Sequence, residues 1–287
     1  MNFGYIPDYK GKSFFFDLFL KIFGYPYAAR RNEARLVCNL LDLNKDECQI
    51  LDIGCGDGVW TNELLKRGVN IKGLDISSED VAMAETRAKK LGLAADYIVH
   101  DAQEIPFSDN TFTDCIAICV LEHIPDDNKV FNEVYRILKP KGCFVLSVPS
   151  NKLPFLMKIL VKLPIKLKRR FASSVINNSR TEADLFRETD AKFNHYRRYD
   201  EDVLKEKARN AGFTIEEIKY NLKFFGNLIN GIIHSFKSFE FTKKKEGYEF
   251  KSCILYGLTF PIFYLFHLLD NFIPVKGCTL VVKLRKI

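Results

Sequence analysis

The sequence predicts an α/β fold built on a doubly wound, mostly parallel sheet, and three observations predict it. Short apolar segments alternate with segments of helical character between residues 49 and 150. Some of these apolar segments are apolar at nearly every position, which is typical of strands covered on both faces. The stretches between them are long enough for the helical crossovers that join parallel strands. At 287 residues and 47% hydrophobic composition, the chain can bury such a core.

Five apolar runs predict the strands of this half of the chain. In chain order, the predicted strands cover 49–54, 70–77, 96–102, 114–120 and 143–150. The fourth, "DCIAICV", is nearly all apolar, so we expect it to be buried on both faces. Ligands of such sheets bind at the carboxyl ends of the strands, near the switch in strand order.

End signals predict the helices between these strands. The first helix covers 59–68 and ends at a glycine. Ser77, with Asp80 three residues later, is an N-cap signal for the second helix, and Gly92 ends it. The third is "DNKVFNEVYRILKPKG" (127–142), which we expect to stop at the proline and glycine near its end.

The turn after the first strand is unusually rich in glycine. "LDIGCGDG" (51–58) places Gly54, Gly56 and Gly58 at alternate positions. Glycines there allow a sharp turn and a close approach to a ligand, although a plain tight turn is the alternative. A dinucleotide fingerprint would need a further glycine where Val59 stands, so that motif is absent.

Two aspartates follow the next two strands. Asp75 ends the second strand, where a carboxylate can accept both hydroxyls of a ribose. Asp101 ends the third strand, where it can meet the amino group of an adenine. The alternative for each is a helix cap or loop residue.

Four segments together resemble the class I S-adenosylmethionine-dependent methyltransferases of the type 11 group. They are "LDIGCGDG" (51–58), "GLDIS" (73–77), "HDAQEIPFSDNTFTDCIAICVLEHI" (100–124) and "LKPKGCFVLSVPS" (138–150). The resemblance covers residues 35–150 closely and 195–220 more loosely. It implies a Rossmann-like, seven-stranded doubly wound sheet with helical cap insertions. In that pattern the last two strands are antiparallel, and here they would be 213–220 and 277–284.

The resemblance also implies the cofactor, S-adenosyl-L-methionine, and the residues that bind it. The methionine end would be held by Asp52, Gly54, Gly56 and Gly58, the ribose by Asp75, the adenine by Asp101 and Ala102, and the reacting methyl would be lined by Cys119 and Val120. Two neighbours, Cys55 and Ile76, belong to the same implied set. No metal site is expected.

Methyl transfer from a sulfonium is an in-line displacement by an already activated donor, so the protein mainly supplies alignment. An oxygen acceptor also needs a base, and the candidates are His123 and His195. A loop or packing role is the alternative for His123. For His195, in "HYRRY", it is fixation of the helix that follows. The segment "CVLEHIPDD" lacks the Asn/Asp-Pro-Pro-aromatic turn of enzymes that methylate nucleic-acid bases, so no nucleic-acid partner is expected.

Two insertions suggest a membrane surface. Residues 152–171 contain seven Lys or Arg and no acid, which equals the formal net charge of +7. They predict a basic amphipathic element for anionic lipid, or else a solvated helix face. Residues 225–269 contain two apolar helical patterns, and 252–269 carries no formal charge. Two helices that enter and leave a membrane, or a hydrophobic lid on the domain, both satisfy that pattern.

The expected organisation is a helical cap (1–34), a cofactor-binding core (35–150), the basic insertion (151–198) and the rest of the sheet (199–287) with an apolar helical insertion (225–276). Eight scattered cysteines predict a cytoplasmic protein. The two insertions predict a peripheral position at the inner face of the membrane. The expected acceptor is hydrophobic or amphiphilic: a lipid, a prenyl-quinone-like compound or a lipid-linked glycan. The alternatives are a soluble small-metabolite enzyme with a hydrophobic lid and a non-catalytic membrane-associated scaffold.

Overall fold

A computed structural model describes residues 28–41, 43, 48–153, 155–162, 181–221, 241–244, 247–250, 265, 268–269, 272 and 276–287. Nine strands are described: β1 (Ile50–Ile53), β2 (Ile71–Asp75), β3 (Asp96–Val99), β4 (Phe112–Ile118), β5 (Leu138–Pro149), β6 (Phe213–Asn221), β7 (Phe241–Lys244), β8 (Gly247–Phe250) and β9 (Thr279–Lys286). Seven of them form one sheet in the order β3-β2-β1-β4-β5-β9-β6. The predicted seven-stranded doubly wound sheet is confirmed.

Strand β9 alone reverses the direction of the sheet. It pairs antiparallel with β5 on one side and with β6 on the other, whereas β1 to β5 pair in parallel. The strand order switches between β1 and β4, since β2 and β3 lie on one side of β1 and the later strands on the other. That switch point is where a ligand cleft is expected.

The described α-helices are α1 (Ala28–Leu40), α2 (Val59–Leu65), α3 (Ser78–Lys90), α4 (Asp127–Ile137), α5 (Phe155–Lys162), α6 (Glu182–Phe193) and α7 (Glu201–Asn210). Helices α1 and α4 pack on opposite faces of the sheet. Consecutive strand residues point to opposite faces. Ile50 therefore packs in a cluster with Val37 of α1, while Leu51 packs in a second cluster with Phe131 of α4.

The predicted end of the third helix is wrong. Helix α4 ends at Ile137, five residues before Gly142, and the Leu-Lys-Pro-Lys-Gly segment already belongs to β5. Leu138 pairs with Phe112 of β4, and the register then shifts before Cys143 pairs with Asp114. Sheet pairing thus ends the helix before its proline can.

The insertions are only partly described. Helix α5 of the basic segment buries Val161 against Leu185 of α6, and Lys158 lies 3.5 Å from Glu182. Strands β7 and β8 form a hairpin inside the insertion 225–276, which the sequence predicts as helical. Most of that insertion, residues 1–27 of the expected cap and residues 163–180 lie outside the described residues. Within the part that is described, no helix is long and apolar enough to cross a membrane.

Candidate active site

A cleft of about 270 Å³ opens at the carboxyl ends of β1, β2 and β4, at the switch point of the sheet. Seven of the predicted cofactor residues line it: Gly54, Asp75, Ile76, Asp101, Ala102, Cys119 and Val120. The other four belong to strand β1 or to the turn that follows it: Asp52, Cys55, Gly56 and Gly58. The predicted base His123 also lines the cleft.

The three glycines of the turn have different neighbours. All three have positive φ angles, of 67°, 53° and 73° for Gly54, Gly56 and Gly58. A Cβ on Gly54 would lie 2.3 Å from Val120, and a Cβ on Gly58 would lie 2.6 Å from Ala84. A Cβ on Gly56 would meet nothing within 4 Å. Two glycines therefore allow close packing, and Gly56 faces open space.

Asp75 joins this turn to the end of β2. Its Oδ2 accepts a hydrogen bond from the backbone N–H of Gly56 at 2.7 Å, and its Oδ1 accepts one from Ser77 at 2.9 Å. Each carboxylate oxygen still has a lone pair for another donor. The side chain is thus fixed at the cleft wall with acceptor capacity remaining.

Asp101 is engaged within its own loop. Its Oδ1 accepts the backbone N–H of Gln103 at 2.8 Å, and its Oδ2 accepts the Gln103 side-chain amide at 3.0 Å. This is the loop-residue arrangement that the sequence leaves open as an alternative. The residue nevertheless lies at the cleft wall, so the adenine role stays a prediction.

Asp52 is buried beneath the turn. Its Oδ2 accepts a hydrogen bond from the Thr61 hydroxyl of α2 at 2.6 Å. Burial raises the pKa of Asp52 to about 7, against the lowering effect of that hydrogen bond. Near neutral pH, the Asp52 carboxyl group is therefore partly protonated.

The floor of the cleft contains a contact that the sequence analysis does not anticipate. Cys119 adopts a φ of 54°, which is uncommon for a residue other than glycine. Its Sγ donates to Oε1 of Glu33 at 3.2 Å. Glu33 is buried beside Asn32, whose side-chain amide donates to Asn221 at 2.8 Å. An Asn-Glu pair on the apolar face of α1 is the signal that could have identified these residues.

The two predicted bases lie side by side. The ring centroids of His123 and His195 are 4.9 Å apart, with an interplanar angle of 71°. Nδ1 of His123 lies 3.3 Å from the carbonyl oxygen of Asn194, and Nδ1 of His195 lies 3.1 Å from Oδ1 of Asp190. Burial lowers the pKa of His195, although the Asp190 hydrogen bond opposes this. A neutral imidazole is therefore favoured at His195.

The rest of the "HYRRY" segment holds His195 in this position. The Arg197 guanidinium donates to the carbonyl oxygens of Leu121 at 3.3 Å and Ile124 at 2.6 Å. Tyr199 is fully buried, and its hydroxyl donates to Asp127 at 2.8 Å. These contacts attach residues 195–199 to the loop that carries His123.

Comparison with known proteins agrees with this arrangement. Residues 51–146 match the type 11 methyltransferase family, described as "Methyltransferase domain". A ubiquinone biosynthesis O-methyltransferase of Pseudomonas aeruginosa is 31% identical over 117 residues, covering 39% of this chain and 49% of that protein. A sterol 24-C-methyltransferase of Saccharomyces cerevisiae is 32% identical over 139 residues, covering 47% of this chain and 36% of that protein. The chain thus spans half or less of the length of these relatives.

A solved structure extends the likeness to the whole sheet. The geranyl diphosphate C-methyltransferase of Streptomyces coelicolor was crystallised with Mg²⁺, geranyl diphosphate and S-adenosyl-L-homocysteine. It superposes with a TM-score of 0.55 at 13% identity, covering 90% of this chain and 81% of that one. This likeness concerns the fold. Residues 51–146 therefore match a methyltransferase domain, and the sheet order agrees with the class I S-adenosylmethionine-dependent methyltransferases that the sequence resembles.

Proposed function

We propose that the chain binds S-adenosyl-L-methionine in this cleft and transfers its methyl group to a hydrophobic or amphiphilic acceptor. The observation that carries the proposal is the open space in front of Gly56, beside the fixed carboxylate of Asp75. A backbone without a Cβ and an oriented acid at the carboxyl edge of a sheet fit an adenosyl ligand. The activated methyl is what the cofactor would supply when bound.

The chain's own contribution is alignment. Asp75 would accept the ribose hydroxyls, Gly56 would let the amino-acid end pass, and Cys119 and Val120 would lie next to the reacting carbon. Holding a donor and an acceptor in near-attack geometry can recover about 7–11 kcal/mol of a barrier. The contact from Cys119 to Glu33 supports this role, because it ties the cleft floor to the packed helix α1.

The kind of acceptor is proposed from the names of the relatives and from the composition of the insertions. The relatives are named for ubiquinone biosynthesis, for a sterol and for geranyl diphosphate, which are compounds with large apolar parts. The basic residues of 152–171 and the apolar residues of 225–269 suit a substrate presented at an anionic membrane surface. In helix α5, Lys158 and Ile159 are exposed while Val161 is buried, which leaves a mixed outer face for such contact.

Transfer of a labelled methyl group tests this proposal. The chain is incubated with methyl-labelled S-adenosylmethionine and either a membrane lipid extract or a water-soluble metabolite extract. We expect label in the organic phase from the lipid extract. Label only in the aqueous products would favour the soluble enzyme with a hydrophobic lid. Cofactor binding without label in any product would favour the non-catalytic scaffold.

A further inference from the structure

Three potential metal ligands meet beside the cleft. Glu122, His123 and His195 each offer one ligand atom, and these atoms all lie within 4.8 Å of one another. Glu122 is buried, His123 is exposed and lines the cleft, and His195 is partly buried. The cluster therefore combines a buried carboxylate with one accessible imidazole.

The hydrogen bonds around the two rings determine which nitrogen can bind a ligand. Nδ1 of His195 lies beside a carboxylate oxygen of Asp190, and Nδ1 of His123 lies beside the carbonyl oxygen of Asn194. Both oxygens can only accept, so each Nδ1 carries the proton and a neutral ring leaves Nε2 unprotonated. A carboxylate or carbonyl behind the distal nitrogen is the usual support of a metal-bound histidine.

The distances suit an ion after a small adjustment. A tetrahedral ion with bonds of about 2.0–2.2 Å places its ligand atoms about 3.3–3.6 Å apart. The ligand atoms here lie within 4.8 Å of one another, so the widest separation would have to close by at most about 1.5 Å. His123 is exposed and is the ligand with most room to move. Residues 195–199 cannot drift away, because Arg197 ties them to the carbonyl oxygens of Leu121 and Ile124.

We propose that Glu122, His123 and His195 bind a divalent first-row transition ion of the Zn²⁺ type. Two imidazoles and one carboxylate are typical of a catalytic site that keeps a coordination position open. The proposal of metal binding depends on this cluster and not on the proposed function. The use of the ion in catalysis rests on the proposed function. An acceptor hydroxyl at the open coordination position would release its proton to water. The resulting oxygen, held by the ion, would then form the bond to the methyl carbon while the bond from that carbon to sulfur breaks.

Metal binding is measured directly on the full chain, without cofactor or acceptor. The protein is freed of metal with a chelator and titrated with Zn²⁺ by calorimetry, then with Co²⁺ by visible absorption. We expect a single equivalent bound, and a Co²⁺ spectrum typical of nitrogen and oxygen ligands. His123→Gln should weaken binding more than a hundredfold, since even loss of a supporting group costs about 10–100-fold. His195→Gln should have a similar effect.

His100→Gln is the matched control, because His100 also lines the cleft but lies outside the cluster. It should bind Zn²⁺ as the wild type does. Circular dichroism identifies any variant that fails to fold, and exposed His123 is the safest position for substitution. Equal Zn²⁺ affinity in wild type and His123→Gln would overturn the proposal. So would a thiolate charge-transfer band with Co²⁺, which would identify a cysteine ligand.

Discussion

Valine at Gly56 is the sharpest test of where the cofactor binds. The backbone there has a φ of 53°, and an added Cβ meets open space instead of protein. Gly68, on the exposed loop after α2, shares both features, with a φ of 79° and nothing within 4 Å of an added Cβ. Gly56→Val and Gly68→Val therefore carry the same kind of backbone strain, and only Gly56 is hydrogen-bonded to Asp75, which lines the cleft.

The expected magnitudes separate the two effects. A left-handed conformation costs a residue with a Cβ about 1–2 kcal/mol, so both variants should lose a similar amount of stability. At Gly56, the side chain would also occupy the ligand's path and disturb the 2.7 Å hydrogen bond to Asp75. Losing an oriented charged partner of this kind costs about 1.5–3 kcal/mol, or about ten- to a hundred-fold in affinity.

Calorimetric titration with S-adenosylhomocysteine measures that affinity, and thermal unfolding checks that both variants fold. We expect weakened binding in Gly56→Val and unchanged binding in Gly68→Val. Wild-type affinity in a folded Gly56→Val protein would refute the placement of the cofactor. Equal losses in both variants would show that strain, and not the cleft, is responsible.

Three further predictions concern stability and membrane contact. Between the unfolded pKa of Asp52 near 4 and its folded pKa of about 7, the folded state keeps a proton that the unfolded state has lost, so stability falls as pH rises through this window. Asp52→Asn should remove this slope and gain up to about 4 kcal/mol in unfolding free energy above pH 7; parallel pH curves for variant and wild type would contradict this. Tyr199→Phe removes a buried hydrogen bond to Asp127 and should cost about 1.5–3 kcal/mol in urea unfolding; a neutral effect would show that the hydroxyl contributes nothing. Replacement of four lysines by glutamine should reduce sedimentation with anionic vesicles at low salt, because each cation near an anionic leaflet contributes about 1 kcal/mol. Binding to neutral vesicles should stay unchanged. The four residues are Lys158, Lys162, Lys166 and Lys168, and wild-type protein that stays in the supernatant with anionic vesicles would exclude their membrane role.

The sheet and the position of the cleft could be predicted because their signals are local. Apolar runs identify the strands, and Ser77 caps α3 through the Asp80 N–H at 3.2 Å, as its spacing predicts. The glycine turn and Asp75 come together because both follow neighbouring parallel strands.

The remaining features depend on contacts between distant parts of the chain. Glu33 reaches Cys119 because α1 packs on the sheet, and His195 reaches His123 because Arg197 and Tyr199 attach its segment to the same loop. Periodicity carries no information about either pair. The helical pattern does not predict the end of α4, because pairing of Leu138 with Phe112 outweighs it.

Binding of S-adenosylmethionine to the unmodified chain tests the central claim most directly. Calorimetric titrations with S-adenosylmethionine and with NAD, under the same conditions, compare the ligand that the cleft is proposed to bind with one whose fingerprint the turn lacks. We expect saturable binding of S-adenosylmethionine and none of NAD. A chain that binds NAD more tightly, or that binds neither, would contradict the account.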